Sequence, residues 1–245
     1  MSIKINLNYS PNFDPKKRKL TQIKFIIFHY TGMKKENNAI KRLTNLKSKV
    51  SCNYFIKTNG EIIKMVPNAY TSWHAGISGW LNYKNLNKYS LGIEISNPGH
   101  RHNYKKFSTK QIYSLIQLTK YLIKRFKIRS NFILGHSDIA PDRKQDPGEK
   151  FPWKLLSKKK IGIWHNLSSK KLSKERNNKT NNIDKTKFIS NLYKIGYPRN
   201  KKIEKNKYKK LLIKAFQRRF RQELVNGIID KECLLISENL LKKYI

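Results

Sequence analysis

Three residues of the chain are typed and spaced for metal chemistry: His29, His136 and Asp146. Two imidazoles and one carboxylate fill three positions around Zn²⁺ and leave the fourth for water, the open arrangement of catalytic rather than structural zinc. His136 and Asp146 are separated by 10 residues, a loop long enough to turn back to the same ion. Each of the three follows a segment that reads as a strand, or ends one, where sheet enzymes place their chemistry. The same residues admit a plainer reading, in which the histidines are hydrogen-bonded structural groups at strand ends. Residue types alone leave both readings open.

The surrounding sequence supplies the elements that would hold them. Gln22 to Tyr30 (QIKFIIFHY) reads as a strand whose apolar density suits the interior of a sheet covered on both faces. Asn38 to Leu46 carries apolar residues at helical spacing. Ser51 to Thr58 and Glu61 to Val66 flank Asn59-Gly60, which predicts a hairpin with a type I′ turn. Leu91 to Ser96 is a further strand, with Gly92, Glu94 and Ser96 sharing one face. Ser108 and Gln111 form a capping box that opens a helix running to about Phe126. Asn131 to Leu134 is a short strand ending at Gly135-His136. This alternation predicts an α/β domain, a mixed sheet flanked by helices, over residues 1–156.

After it the composition changes. Residues 157–183 include SSKKLSKERNNKTNN, polar and without periodicity, which reads as a linker. Residues 184–245 then show three helical patterns, with Gly196 suited to the end of the first and Asp230 to the N-cap of the last. Phe216 and Phe220 lie four apart, the spacing of a helix core face.

The 54 Lys and Arg against 15 Asp and Glu give a net charge of +39, which favours polyanions. The lysines are dispersed through every segment, so compositional drift accounts for the charge better than one basic face does. No nucleic-acid-binding motif accompanies it. Cys52 and Cys233 stand far apart and form no CxxC pair, which argues against a disulfide framework. No stretch is long and apolar enough to span a bilayer, and the N-terminal residues show no secretory h-region.

Five ordered segments, FIIFHYT, SCNYFIKTNGEIIKMVP, SWHAGIS, SLGIEISN and ILGHSDIAPDRKQDPG, resemble the N-acetylmuramoyl-L-alanine amidase type 2 family. The resemblance covers about Phe25 to Trp153. It implies the type 2 amidase fold and one Zn²⁺ per chain, bound by His29, His136 and Asp146. It also implies hydrolysis of the amide bond between N-acetylmuramic acid, or its 1,6-anhydro form, and L-alanine in peptidoglycan. Glu94, in GIEIS, matches the family's water-activating acidic residue, and Lys144, in DRKQD, the basic residue that stabilises the oxyanion. His74, in WHAG, is expected to line the cleft and touch substrate. His100, His102 and His165 have no such context and are expected at the surface. Cys52-Asn53 departs from the Ala-His that relatives often carry there, which puts one cleft contact in doubt. A non-catalytic peptidoglycan-binding protein is the alternative function.

FISNLYKIGY and the helical segment after it resemble a small three-helix peptidoglycan-binding domain. Together with SPNFDP near the start, this points to the envelope-type branch of the family. Cell envelope or periplasm is the compartment this implies, with cytoplasm as the alternative. Peptidoglycan or muropeptides are the expected partners.

Overall fold

The computed structural model describes residues 3–245. Six strands form the central sheet: β1 (Asn6–Leu7), β2 (Phe25–Tyr30), β3 (Tyr54–Ile56), β4 (Ile62–Lys64), β5 (Ser90–Ile95) and β6 (Ile133–Gly135). Their order across the sheet is β1-β4-β3-β5-β2-β6. Only the β3/β4 hairpin is antiparallel; every other neighbouring pair is parallel. The helices are α1 (Glu36–Thr44), α2 (Thr109–Phe126), α3 (His136–Ile139), α4 (Trp153–Lys158), α5 (Ser169–Glu175), α6 (Asn182–Ile195), α7 (Lys205–Phe220) and α8 (Lys231–Tyr244). This is the type 2 amidase fold expected from the sequence, a mixed sheet with helices on both sides.

Local chemistry explains most boundaries. Ser108 accepts from the Gln111 N–H while the Gln111 side chain accepts from the Ser108 N–H, so the capping box starts α2 as expected. Asp230 accepts from the Cys233 N–H and caps α8. The hairpin differs from expectation. The Gly60 N–H donates to the Lys57 carbonyl and the Lys57 N–H to the Glu61 carbonyl, both at 2.9 Å. Gly60 has φ of +89°, and Asn59 does not take positive φ. The loop is therefore a three-residue turn closed by a glycine bulge, not the two-residue type I′ turn. A Cβ on Gly60 would lie 2.8 Å from the Lys110 carbonyl oxygen, so glycine also admits the start of α2.

Interior position makes β2 apolar on both faces. Ile26 and Phe28 point to the side covered by α2, packing with Leu115, Leu118 and Leu122. Phe25 and Ile27 point the other way, into a cluster built largely by α6, α7 and α8, including Phe188, Leu192, Phe216 and Phe220. The three C-terminal helices are thus the second cover of the sheet.

The segment 157–183, read from sequence as a linker, is packed onto the rest of the chain. Ile161, Ile163 and Leu172 are buried, and α5 forms within it. Arg176 makes a two-pronged ion pair with Glu232 of α8, at 2.7 and 2.8 Å. The segment is polar because it lies along the surface, yet its few apolar residues anchor it.

Candidate metal centre

Parallel register brings the chemistry to one end of the sheet. His29 on β2 is the register partner of Glu94 on β5. Phe28 pairs with Gly135 on the other side, so His136 opens α3 level with His29. The loop after α3 must then return to this point. A Cβ on Gly135 would lie 2.6 Å from Cδ of Pro147, so only glycine lets the Asp146-Pro147 segment come this close. The Ser137 N–H donates to the Asp146 carbonyl at 2.8 Å and fixes the return.

Three ligand atoms converge as a result. Nδ1 of His29 lies 2.9 Å from Nδ1 of His136, and each lies 3.1 Å from Oδ2 of Asp146. All three residues are buried. Donors around a tetrahedral zinc, at about 2.0–2.2 Å from the ion, stand roughly 3.3–3.5 Å apart. A few tenths of an ångström of relaxation would seat an ion among these atoms.

The hydrogen bonds behind the rings set their tautomers. Ser90 Oγ donates to the Leu86 carbonyl at 2.5 Å, so its remaining role toward His74 Nε2, 3.1 Å away, is to accept. His74 therefore carries its proton on Nε2 and offers a bare Nδ1 to His29 Nε2, at 3.0 Å. His29 must donate from Nε2, which leaves its Nδ1 bare. His136 Nε2 lies 3.1 Å from the Ala75 carbonyl, which can only accept, so His136 Nδ1 is bare as well. Three lone pairs thus meet with no proton among them. A divalent cation is the group that satisfies such a set.

Electrostatics agrees with the geometry. Burial lowers His29 to about 4, with His136 beside it adding to the shift. Burial opposes ionisation of Asp146, but the two imidazoles beside it outweigh burial and hold the carboxyl far below its usual range. A neutral imidazole and an ionised carboxylate are the states in which these groups bind metal.

Comparison with known proteins places this chain in a family. The model of the N-acetylmuramoyl-L-alanine amidase family matches residues 19–149. The chain is 33% identical over 235 residues to the N-acetylmuramoyl-L-alanine amidase AmiD of Escherichia coli K12, covering 91% of this chain and 84% of AmiD. The chain belongs to the N-acetylmuramoyl-L-alanine amidase family. Its activity follows: it is an N-acetylmuramoyl-L-alanine amidase, a hydrolase of peptidoglycan catabolism. A solved structure of E. coli AmiD with the substrate anhydro-N-acetylmuramic acid-L-Ala-D-γ-Glu-L-Lys superposes with a TM-score of 0.79 at 33% identity, covering 91% of this chain and 90% of that one. AmpDh3 of Pseudomonas aeruginosa in complex with anhydromuramic pentapeptide also gives 0.79, at 29% identity and 94% coverage of both chains. The 1,6-anhydro-N-acetylmuramyl-L-alanine amidase AmpD of Enterobacter cloacae is 36% identical over 104 residues, 42% of this chain and 54% of AmpD. The family is in general zinc-dependent, and the His29, His136, Asp146 grouping is where this amidase can hold a metal.

The amidase's cleft opens above these ligands, with a volume of about 520 Å³, and Glu94 and Lys144 both line it. Glu94 Oε2 is shielded from solvent and has no protein partner. Burial pushes Glu94 up to about 8, Asp146 adding to the rise and Lys144 opposing it. The Lys144 ammonium enters no ion pair among the described residues.

His74 is among the residues that line the cleft. Its ring is buried, and both nitrogens are engaged inside the protein, by His29 and Ser90. A Cβ on Gly92 would lie 2.4 Å from His74 Cγ, so the ring rests on a floor that only glycine provides. His74 thus bonds His29 from behind while also lining the cleft. His100, expected at the surface, lines the cleft instead, stacked on Tyr104 with centroids 4.4 Å apart and bonded to Tyr30 and Glu149 at 2.8 and 3.0 Å. Gly148 permits this, since a Cβ there would meet Tyr104 and His100 within 3 Å. Asn53, at the position that departs from the family, is buried and accepts from Ser72 Oγ and the Gly92 N–H at 2.8 and 3.1 Å, helping to hold the strand under His74.

Ser90 and Asp138 escaped the sequence reading although both lie inside quoted motifs. Asp138 is followed directly by Ile139, Ala140 and Pro141 in HSDIAP, and a carboxylate carried into an apolar stretch needs buried partners.

Proposed function

We propose that the amidase works with one Zn²⁺ held by Nδ1 of His29, Nδ1 of His136 and a carboxylate oxygen of Asp146. Its substrate is the amide joining the lactyl group of N-acetylmuramic acid, or of its 1,6-anhydro form, to L-alanine. The convergence of three proton-free lone pairs, with tautomers imposed from behind, is the observation that carries this reading. Bound zinc supplies a Lewis acid that acidifies water and polarises the carbonyl. Glu94, unpaired at the cleft floor, takes the proton of the attacking water and passes it to the departing alanine nitrogen. Lys144 places a free ammonium beside the developing oxyanion, stabilising charge that exists mainly in the transition state. His74 and Ala75 keep the two imidazoles in the tautomers that face the ion.

The catalytic residues come from the sheet domain, and α6–α8 form the unit that resembles a peptidoglycan-binding domain. We assign that unit a second contact with wall polymer, and the cell envelope as the place of action. Both assignments rest on the resemblance of the helical segment to such a domain, and the similarity to AmiD runs over 91% of this chain. The experiment is mass spectrometry of products from intact sacculi and from an anhydro-muropeptide, with zinc-loaded protein. Free stem peptide beginning with L-alanine is expected. Intact muropeptide retained on the protein without cleavage would make it a recognition protein instead.

A further inference from the structure

The C-terminal helices reach the metal centre through one buried carboxylate. Asp138 is 1% exposed and sits two residues after His136. Its Oδ2 accepts from the Gly135 N–H at 2.8 Å, closing the single turn of α3 on which His136 stands. The same oxygen accepts from Arg219 Nη1 of α7 at 2.5 Å, and Oδ1 accepts from the hydroxyl of Tyr197, just beyond α6, at 3.0 Å. Arg219 is 2% exposed, lies 4.3 Å from the Trp153 ring centroid, and also donates to the Ile133 carbonyl at 3.1 Å. One guanidinium thus grips both the strand that leads to His136 and the carboxylate that shapes the turn beneath it.

We infer that Arg219 and Tyr197 are positioning residues for the metal ligand His136, acting through Asp138, so that the helical unit is part of the metal centre. This rests on the reading that His136 holds zinc. An ionised carboxylate buried at this depth is costly unless paired and hydrogen-bonded. Removing a donor leaves Asp138 free to turn toward other partners or to draw in water. The turn Gly135–Ile139 then loses its closure, and the His136 ring its fixed direction. Groups behind a ligand that orient it are typically worth 10–100-fold in metal affinity.

The test uses full-length protein and reads zinc affinity by chelator competition, far below the unfolding temperature. Tyr197→Phe removes one hydrogen bond and no bulk; it should weaken zinc by a few-fold to about tenfold. Arg219→Met should weaken it about 10–100-fold, and Arg219→Lys, which keeps the charge but not the double grip, should fall between. Leu240→Ala is the control: it loosens the same helical unit from α8, has no bond to Asp138, and should lower the melting temperature while leaving zinc affinity unchanged. Wild-type zinc affinity in Tyr197→Phe and Arg219→Lys would overturn the inference. So would zinc loss in Leu240→Ala matching that of the others at equal loss of melting temperature. If Arg219→Met does not fold, the other two decide. The readout is metal binding, so these effects in a protein that releases no peptide would sink the functional reading and leave this inference standing.

Discussion

The His74 ring lies against Gly92, where an added Cβ would sit 2.4 Å from its Cγ, and from that position its Nδ1 meets His29 Nε2 at 3.0 Å. The strand's missing side chain thereby decides which nitrogen of His29 faces the metal site. Gly92→Ala should displace His74 and cost at least about tenfold in zinc affinity, the usual range for groups that orient a ligand. Ser90→Ala, which frees His74 to change tautomer without moving it, should cost less. Competition with a zinc chelator ranks the two; equal wild-type affinity in both would remove His74 from the site.

Glu94→Gln should bind zinc as the wild type does and lose about 10²- to 10⁴-fold in kcat, because taking a proton and holding a metal are separate tasks. Lys144→Met should likewise keep zinc and lose rate, with little change in KM if the ammonium acts only on developing charge. Steady-state kinetics on a soluble muropeptide, with metal content measured on the same samples, checks both.

The Glu94 carboxyl also carries a stability cost of sign opposite to that of a paired acid. Burial raises it from 4.5 to about 8 in the folded protein. Between those values the folded state holds a proton that the unfolded state has released, so stability falls as pH rises through this window. Each unit of displacement is worth about 1.4 kcal/mol. In metal-stripped protein, Glu94→Gln should match the wild type near pH 4 and exceed it by up to a few kcal/mol near pH 8. Urea unfolding at the two pH values measures the gap; a constant difference would show that Glu94 titrates normally.

Removing α6–α8 by truncation near Asn182 should unfold the remaining domain or lower its melting temperature by well over ten degrees. Phe25, Ile27 and Leu134 lie under these helices, and each exposed side chain of this size costs about 1.5–3 kcal/mol. Asp138 would also lose Arg219 and Tyr197 together. Circular dichroism of the truncated protein reads the outcome; a cooperative transition at the full-length temperature would make the helices an independent module.

Most of the sheet domain was legible because its signals are local. The Ser108–Gln111 box, the apolar run of β2 and the ordered motifs around His29, Glu94 and His136 each lie within a few residues of the feature they specify. The turn at Asn59-Gly60 was legible as a hairpin but not as a bulge, since the choice depends on how closely α2 approaches Gly60. The bond from Arg219 to Asp138 spans 81 residues and leaves almost no local trace. Its one signal is a basic residue three positions after Phe216 on an otherwise apolar face. His100 and segment 157–183 looked like surface because their partners, Glu149 and Glu232, are distant in sequence.

Zinc titration of metal-stripped protein, followed by release of stem peptide from an anhydro-muropeptide, tests the central claim most directly. Activity should be absent without metal, rise in proportion to added zinc, and level off at one ion per chain, while His136→Ala stays inactive throughout. Full activity in the metal-stripped protein, or in His136→Ala, would contradict the account.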